Sequence, residues 1–443
     1  TGIGSNQATA ITDGVALGWT DDFATNRAGW TYTGTWTLWP GAGREGSLAL
    51  VDSPADYANS SDSSAQFGVN LAGSVWPVLR FWDRHIFADG DYGRLEISTD
   101  AGGSWTGIYG VVATRSTFAE QSVDLSPWKN YSQVWLRFRV CTDGGTTADG
   151  WIIDNLSLAE NTPRPPVGYP VYEDFENGLG NWLHAGWALD TNQPFTGSLA
   201  VHDTIASRLP PDTQLALVLA NELSLSNVVN PLLTFRVRGH LWHYSSFRAQ
   251  VSTNGGVTWI EQSVANLDTG FDSDWTRMQI SLLPYTNANL RLRFLVSGDW
   301  RAPDVDIFLD GIGIGEPAPG KPFLSAPAML ASVNVPRPTL VVSNAFDYQS
   351  EPLTFRYEVY ADAALSNLVA QVPAVAAGAG ATAWPVDVDL PNNAQYWWRC
   401  QASDGTNTGS WMATATFFVN QLNHAPTAPV IAGPPHGAVL TNL

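Results

Sequence analysis

The feature that most constrains this chain is an internal repeat. The run TDDFATNRAGW at 20–30 returns as YEDFENGLGNW at 172–182, with Asp-Phe followed by Trp at the same spacing in both. The offset between matched residues drifts only from 152 at Asp22/Asp174 to 156 at Asp154/Asp310. Other matched runs include GSLALVD with GSLAVHD, VWPVLRFWDRH with VNPLLTFRVRG, and DGWIIDNLSL with VDIFLDGIGI. The chain therefore contains two copies of one domain of about 140–150 residues.

Within each copy, apolar residues alternate with polar ones. Leu136, Phe138 and Val140 alternate with arginines in WLRFRV, and RLRFLV repeats this spacing in the second copy. A period of two, bounded by Gly, Asn, Asp and Pro, is typical of antiparallel strands with one buried face. Since no segment has the period of an amphipathic helix, we predict an all-β fold. Many strands without helical crossovers favour a two-sheet jelly-roll sandwich.

A second Pro-rich break, EPAPGKP at 316–322, precedes a different pattern. Several short strands follow, and Tyr396, Trp398, Cys400 and Ala402 alternate along one of them, which predicts an immunoglobulin-like sandwich. The predicted organisation is an N-terminal extension at 1–18, a jelly roll at 19–160, a linker at 161–167, a second jelly roll at 168–316, a fibronectin type III-like domain at 317–421, and the start of a further sandwich or a tail at 422–443.

The charge balance excludes one class of partner. The chain has 22 basic and 41 acidic side chains and a formal net charge of −19, so its field repels phosphate backbones. Nucleic acid is therefore not an expected partner, and no stretch approaches the ~18 apolar residues of a membrane span. The two cysteines, Cys141 and Cys400, lie in separate strand-like runs and are interpreted as structural thiols.

The runs STDAGGSW and STNGGVTW carry the Asp-box pattern, Ser-x-Asp/Asn-x-Gly-x-Ser/Thr-Trp. The acidic or amide side chain caps its own turn, glycine supplies the positive φ, and tryptophan packs beneath the hairpin. The pattern is filled by Ser98, Asp100, Gly102, Ser104 and Trp105 in the first copy and by Ser252, Asn254, Gly256, Thr258 and Trp259 in the second. It predicts a hairpin rather than an activity, because sialidases carry it away from their catalytic residues.

Together these motifs resemble a known type of module. The order is Asp-Phe, a following Trp, the Asp-box hairpin, Val-Asp-Leu at 123–125 and a closing Gly-Trp-x-x-Asp-Asn strand. Residues 19–160 and 168–316 resemble the MAM-like or cleaved-adhesin jelly-roll modules of secreted bacterial proteins, and 320–421 resembles a bacterial fibronectin type III domain. The resemblance implies an extracellular or cell-surface location. Such modules also accompany immune-inhibitor-A-like and subtilisin-like proteases as non-catalytic appendages.

The resemblance also implies a structural cation, with calcium as the expected ion, between the first and last strands of each module. The expected ligands are Asp21, Asp22 and Asp154 in the first copy and Glu173, Asp174 and Asp310 in the second. Calcium takes several carboxylate and carbonyl oxygens, which two adjacent strand ends can supply. The alternative is that these acids cap turns or face water.

Aromatic residues in or near predicted loops provide a second type of candidate site. Tryptophan and tyrosine on a sandwich can stack on sugar rings. The candidates for glycan stacking are Trp39, Trp82, Trp242, Tyr244 and Trp300. The alternative for each is packing in a core or on a sheet face.

Catalysis is not expected, because no histidine lies in a metalloprotease or zinc-binding pattern and no nucleophile elbow occurs. The favoured hypothesis is a non-catalytic extracellular bacterial surface protein, adhesive or structural, that could form filaments or a sheath. Its expected partners are other surface proteins, glycans or copies of itself. Two alternatives stay open: the accessory region of a secreted protease or other hydrolase, and a carbohydrate-binding module.

Overall fold

The computed structural model describes residues 14–24, 29–162, 171–203, 208–225, 228, 231–242, 244–262, 272–286, 289–300, 304–315, 318–347 and 351–421. Two compact units divide the chain, Thr1–Glu316 and Pro317–Leu443. Most of the predicted N-terminal extension, residues 163–167 of the predicted linker and the predicted start of a further sandwich at 422–443 lie outside the described residues.

The first copy of the repeat folds into two antiparallel sheets. Its strands are β1 (Trp19–Asp21), β2 (Thr31–Tyr32), β3 (Thr37–Pro40), β4 (Leu48–Val51), β5 (Asp62–Val69), β6 (Pro77–Ile86), β7 (Tyr92–Ser98), β8 (Thr106–Val112), β9 (Thr114–Asp124), β10 (Val134–Cys141) and β11 (Gly150–Glu160). One sheet has the order β3-β4-β11-β6-β9, with β1 paired to β11, and the other has the order β2-β5-β10-β7-β8. Short 3₁₀ helices lie at Arg44–Gly46 and Ser126–Trp128.

The alternation along β10 explains how this sandwich closes. Leu136, Phe138 and Val140 are buried, while the arginines between them lie half-buried on the outer face. Phe138 packs edge-on against Phe81 and Trp151 of the opposite sheet, with ring centroids 5.3 and 5.4 Å apart. Fully burying one such side chain stabilises a fold by about 1.5–3 kcal/mol.

The second copy has the same topology. Its strands are β12 (Val171–Glu173), β13 (Trp182–Leu183), β14 (Trp187–Asp190), β15 (Ala200–Asp203), β16 (Gln214–Leu219), β17 (Leu223–Ser224), β18 (Leu232–Leu241), β19 (Ser245–Ser252), β20 (Ile260–Gln262), β21 (Asp272–Ser281), β22 (Asn289–Gly298) and β23 (Val305–Gly315), with a 3₁₀ helix at Leu283–Tyr285. The sheets have the orders β14-β15-β23-β18-β21, with β12 paired to β23, and β13-β16-β22-β19-β20, with β17 paired to β22. The repeat seen in the sequence is thus a repeat of topology.

The two sandwiches pack against each other within the first unit. Val218 and Ala220, at the outer face of β16 and just beyond its end, cluster with Trp76 of the first sandwich. On the neighbouring strand β22, buried Arg291 places its guanidinium 3.4 Å from the centre of the Trp76 ring and donates a hydrogen bond to Ser126 Oγ. The equivalent strand β5, DSSAQFGV, is more polar. The apolar sequence of β16 therefore explains why this face of the second sandwich is buried.

The second unit is a smaller sandwich of a different kind. Its strands are β24 (Phe323–Ala326), β25 (Ala331–Val333), β26 (Thr339–Ser343), β27 (Thr354–Tyr360), β28 (Leu368–Ala376), β29 (Ala381–Pro385), β30 (Ala394–Ser403) and β31 (Ala415–Val419). They form the sheets β24-β26-β29 and β25-β31-β30-β27-β28. The alternating residues of β30 predicted to face inward, Tyr396, Trp398, Cys400 and Ala402, are all buried. The predicted fold class, two jelly rolls followed by an immunoglobulin-like sandwich, is confirmed.

Candidate functional site

The Asp-Phe-to-Trp motif of the first copy forms a hydrogen-bonded corner. Buried Asp21 accepts the backbone N–H of Phe23 on Oδ1 at 2.9 Å and the indole Nε1–H of Trp30 on Oδ2 at 3.2 Å. The Phe23 and Trp30 rings pack with centroids 6.0 Å apart. Asp22 is exposed and accepts the backbone N–H of Ala24 at 3.1 Å. The motif thus fixes the turn after the first strand.

The second copy repeats this corner with a longer acid. Glu173 accepts the backbone N–H of Phe175 at 3.0 Å on one oxygen and the indole Nε1–H of Trp182 at 3.3 Å on the other. The two rings again lie 6.0 Å apart. Asp174 is half-buried and accepts the backbone N–H of Glu176 at 3.3 Å.

The predicted acids on the closing strands anchor loops. Asp154 Oδ2 accepts the Arg44 backbone N–H and the Ser47 hydroxyl, both at 2.8 Å, from the loop between β3 and β4. Asp310 Oδ2 accepts two backbone N–H groups of the β14–β15 loop, also at 2.8 Å. Burial raises the pKa of Asp310 to about 6.

In the structure the buried acids of the predicted calcium sites have structural hydrogen bonds. The oxygens of the buried acids accept N–H and O–H donors from the turns and loops beside them. Among the described residues, three side chains that could hold a metal ion have ligand atoms within 4.8 Å of one another. They are His202, Asp203 and Asp306, of which none is a predicted calcium ligand. The acids of the repeated motif cap turns and anchor loops, as the structural alternative has it. Calcium binding by the chain stays a prediction.

The first Asp-box forms a self-capped hairpin. Asp100 Oδ1 accepts the Ser104 backbone N–H at 2.8 Å, its Oδ2 accepts the Ser104 hydroxyl at 2.7 Å, and Ser98 Oγ accepts the Gly102 backbone N–H at 2.9 Å. Gly102 has φ +89°, in the left-handed region that favours glycine. The Ser104 and Ser98 hydrogen bonds hold the pKa of Asp100 to about 2. Trp105 donates its indole N–H to the Gly102 carbonyl at 3.1 Å.

The second Asp-box has the same geometry with an amide. Ser252 Oγ accepts the Gly256 N–H at 2.9 Å, and Asn254 Oδ1 accepts the N–H four residues later at 3.0 Å. Arg293 of the central strand β22 lies 4.3 Å above the Trp259 ring, and the equivalent pair in the first copy lies 4.0 Å apart. Both boxes are therefore integral parts of their sheets.

The aromatic residues predicted for the first sandwich differ in accessibility. Trp39 is exposed on the edge strand β3. Trp82 is half-buried on β6, and the Arg44 guanidinium lies 3.7 Å from the centre of its ring. One face of Trp82 is therefore already taken by Arg44 and is closed to a sugar ring.

The three aromatic residues predicted for the second sandwich come together at one end of it. Trp242 and Tyr244 lie between β18 and β19, and Trp300 lies between β22 and β23; they are 52%, 53% and 66% exposed. The backbone N–H of Trp242 donates to the Asp304 carbonyl at 3.2 Å, and the Asp299 N–H donates to the Tyr244 carbonyl at 3.0 Å. We call the described residues of these two hydrogen-bonded segments, 242 and 244 on one side and 299, 300 and 304 on the other, the aromatic loops.

A buried charge network in the first sandwich was not anticipated from the sequence. Fully buried Asp83 accepts hydrogen bonds from the Tyr109 hydroxyl at 2.9 Å and the Trp151 indole at 3.0 Å, and it pairs with Arg115. Burial alone would raise the pKa of Asp83, but the charge of Arg115 and the hydrogen bonds that Asp83 accepts lower this pKa to about 2. The matched residue in the second copy is Val237, and this difference between copies is the signal that was available.

A histidine–carboxylate cluster in the second sandwich was also not predicted from the sequence. His202 Nε2 lies 2.7 Å from Asp306 Oδ1 and 3.4 Å from Asp203 Oδ1, and His202 Nδ1 lies 3.3 Å from Asp190 Oδ2. The imidazole stacks on Phe308 at 3.8 Å between centroids and an interplanar angle of 6°. The four polar residues come from strands β14, β15 and β23, so no local motif joins them.

Burial changes the titration of this cluster. It raises the pKa of Asp203 to about 8, although Asp203 Oδ1 accepts the Ile307 backbone N–H at 2.9 Å. Burial opposes protonation of His202, but its hydrogen bond to Asp306 and the charge of Asp203 give it a net raised pKa. The first-copy counterpart of Asp203 is Asp52, which accepts the Trp151 N–H at 2.7 Å and whose pKa burial raises to about 7.

Both cysteines are free thiols. Cys400 is buried in the core of the second unit, and burial raises its pKa to about 12. Burial also raises the pKa of the half-buried Cys141. Neither environment favours the reactive thiolate.

No family model matches the chain. Bacillopeptidase F of Bacillus subtilis (strain 168) is 23% identical over 167 residues, which are 34% of this chain and 11% of that protein. Among solved structures, the CBM22-1–CBM22-2 tandem domain of Paenibacillus barcinonensis Xyn10C is 13% identical, with a TM-score of 0.25, over 70% of this chain and all of that one. The chicken CNTN1 FN1–FN3 domains are 15% identical, with a TM-score of 0.21, over 48% of this chain and 64% of that one.

The class of protein follows from the strand orders of this chain itself. It is a tandem β-sandwich protein, with two jelly rolls that share one topology and an immunoglobulin-like sandwich after them. In the part of the chain that the structure describes, no helix is long and apolar enough to cross a membrane.

Proposed function

We propose that this chain is a non-catalytic, glycan-binding region of an extracellular bacterial protein, built from MAM-like jelly rolls, and that the aromatic loops bind the sugar. The observation that carries the proposal is that Trp242, Tyr244 and Trp300 are each more than half exposed on two loops that are hydrogen bonded to each other. Soluble domains seldom expose several large aromatic side chains together unless the patch binds a partner.

The chemistry of the patch fits a sugar. An indole or phenol ring offers a flat apolar face to the C–H groups of a pyranose, while its N–H or O–H can bond a hydroxyl. The chain has a formal net charge of −19, which disfavours polyanionic polysaccharides. We therefore propose a neutral or basic glycan as the ligand.

Glycan binding is the carbohydrate-binding alternative, and it is also a means by which an adhesive protein can attach. A surface protein that binds glycans would attach to cells or to matrix through them. Filament or sheath formation stays a prediction, because nothing in the single chain bears on it.

The proposal is tested with the full chain on a glycan array and in pull-downs with insoluble polysaccharides. We expect retention of a neutral or basic glycan, and loss of retention when Trp300 is replaced by alanine. Trp39→Ala is the matched control, because Trp39 is an exposed tryptophan outside the aromatic loops. Absence of any retained glycan would contradict the proposal.

A second candidate, the accessory region of a secreted protease, is favoured by the 167-residue similarity to bacillopeptidase F. It is compatible with glycan binding, since an appendage can hold an enzyme near its substrate. Sequencing of the full open reading frame tests it: a protease domain in the same frame would support it, and its absence would remove it.

A further inference from the structure

We propose that His202, Asp203 and Asp306 form a binding site for a divalent transition-metal ion of the zinc type in the second sandwich. Their ligand atoms lie within 4.8 Å of one another. Asp306 lies two residues after Asp304 of the aromatic loops, and it pairs across the sheet with His240. The three proposed ligands are not among the aromatic residues, and the inference does not depend on glycan binding.

The ligand atoms lie close enough together for a tetrahedral metal centre. Ligands at about 2.0–2.2 Å from a zinc ion in tetrahedral geometry lie about 3.3 Å from one another. His202 Nε2 lies 2.7 Å from Asp306 Oδ1 and 3.4 Å from Asp203 Oδ1. A metal ion bound in this geometry would therefore require an outward shift of Asp306 Oδ1 from His202 Nε2.

Asp203 supplies the independent indication that a ligand is missing. Its side chain is fully buried, and its Oδ2 has no hydrogen-bond partner in the described part of the chain. A buried carboxylate oxygen without a donor costs free energy unless a cation or a proton offsets it.

Asp190 and Phe308 orient the histidine for this role. Asp190 Oδ2 is 3.3 Å from His202 Nδ1, so it can accept the Nδ1–H and leave Nε2 free to bind the metal. Metal-bound histidines commonly donate their second ring N–H to a carboxylate, which fixes the tautomer and the ring. The Phe308 ring, stacked at 3.8 Å, fixes the imidazole plane from the side.

The ligand set selects the class of ion. Calcium and magnesium prefer oxygen ligands only, whereas an imidazole nitrogen with carboxylates suits zinc and its neighbours. This distinguishes the cluster from the calcium ligands implied by the family resemblance, which are different residues.

The first copy of the repeat provides an internal comparison. Asp203 is matched by Asp52, but His202 is matched by Val51, Asp306 by Gly150 and Asp190 by Trp39. The same position in the same topology therefore folds without the histidine and the two other acids. The metal site is a property of the second copy alone, and valine at 202 is compatible with the strand.

The test uses the tag-free full chain, stripped with EDTA and then titrated with Zn²⁺, with bound zinc measured by mass spectrometry after dialysis. The wild type is expected to bind a zinc ion. His202→Val and Asp306→Asn are each expected to lower the affinity for zinc by more than about 100-fold. Asp190→Asn is expected to weaken binding by about 10–100-fold, because it removes only the partner of Nδ1. Asp56→Asn, which alters an exposed carboxylate of the first sandwich, is the control and should bind as the wild type does.

The outcomes separate clearly. Zinc should also raise the melting temperature of the wild type and leave that of the His202→Val variant unchanged. The proposal is overturned if the wild type and the His202→Val variant bind zinc equally, if neither binds it, or if calcium binds in the same His202-dependent way. Should His202→Val fail to fold by circular dichroism, Asp190→Asn decides, because its side chain is partly exposed and its loss leaves the core intact.

Discussion

The carboxylate of Asp21 accepts a hydrogen bond from the indole Nε1 of Trp30 at 3.2 Å, nine residues further along the chain. The second oxygen of Asp21 holds the backbone N–H of Phe23, so one buried acid satisfies two donors. Phe23 has φ +60°, a conformation that a non-glycine residue adopts only when its surroundings hold it there. The motif that identifies the repeat is therefore a structural corner.

We expect Asp21→Ala to lower the free energy of unfolding by about 2–3 kcal/mol, because it leaves two buried donors without an acceptor. Urea denaturation of the full chain, followed by tryptophan fluorescence, measures this change. Asp22→Ala is the control and should cost no more than about 0.5 kcal/mol, since Asp22 is exposed. Equal losses for the two variants would contradict this role of Asp21.

Arg291 is expected to couple the two jelly rolls. Its alanine variant loses the stacking on Trp76 and the bond to Ser126, which should cost about 2–3 kcal/mol. Arg248→Ala, which removes a partly exposed ion pair with Glu261, should cost less than about 1 kcal/mol. Calorimetry should show the two sandwiches melting separately in Arg291→Ala, and a single unchanged transition would count against the coupling.

Asp52 is expected to make the fold less stable as the pH rises. Its folded pKa is about 7, above the unfolded value of about 4, so the folded state holds an extra proton between these values. Stability from this group is therefore highest below about pH 4 and decreases up to about pH 7, by at most about 1.4 kcal/mol per pH unit. Asp52→Asn should lack this slope, so the difference in unfolding free energy between variant and wild type, measured by urea denaturation from pH 4 to 8, should change with pH. An unchanged difference across that range would refute the assignment.

Asp83 should have the opposite pH dependence. Its folded pKa of about 2 lies below the unfolded value, so its stabilisation is present above about pH 4 and is lost as the pH falls towards 2. Asp83→Val should cost about 3–5 kcal/mol at pH 7, because it leaves the charge of Arg115 buried without a partner. Adding Arg115→Met should restore part of the loss, because it removes the unpaired charge. The second copy already has an apolar residue, Val237, at the position of Asp83. A double variant less stable than Asp83→Val would contradict the argument.

Much of the fold could be predicted from the sequence, because its determinants are local. The alternation of Leu136, Phe138 and Val140 requires one buried face, and the repeat requires the same topology twice. The partners of individual side chains are not local. The importance of Asp21 and Asp154 was visible in the repeat, but their donors, such as the Trp30 indole, are seen only in three dimensions.

The histidine cluster shows the same limit and also a signal that was available. Asp190, His202 and Asp306 lie on three strands, and more than 100 residues separate the last two in sequence, so no spacing pattern links them. Aligning the two copies nevertheless shows His202 opposite Val51 and Asp306 opposite Gly150. These are positions where a polar residue of the second copy stands opposite an apolar or small residue of the first.

The most direct test of the central claim is the affinity of the full chain for the glycan that it retains, measured by calorimetric titration for the wild type and the tryptophan variants. Glycan binding by the aromatic loops predicts that Trp300→Ala weakens the affinity by at least about tenfold, equivalent to about 1.4 kcal/mol. It also predicts that Trp39→Ala binds as the wild type does. Equal affinity of the wild type and Trp300→Ala, or a loss confined to Trp39→Ala, would contradict the account.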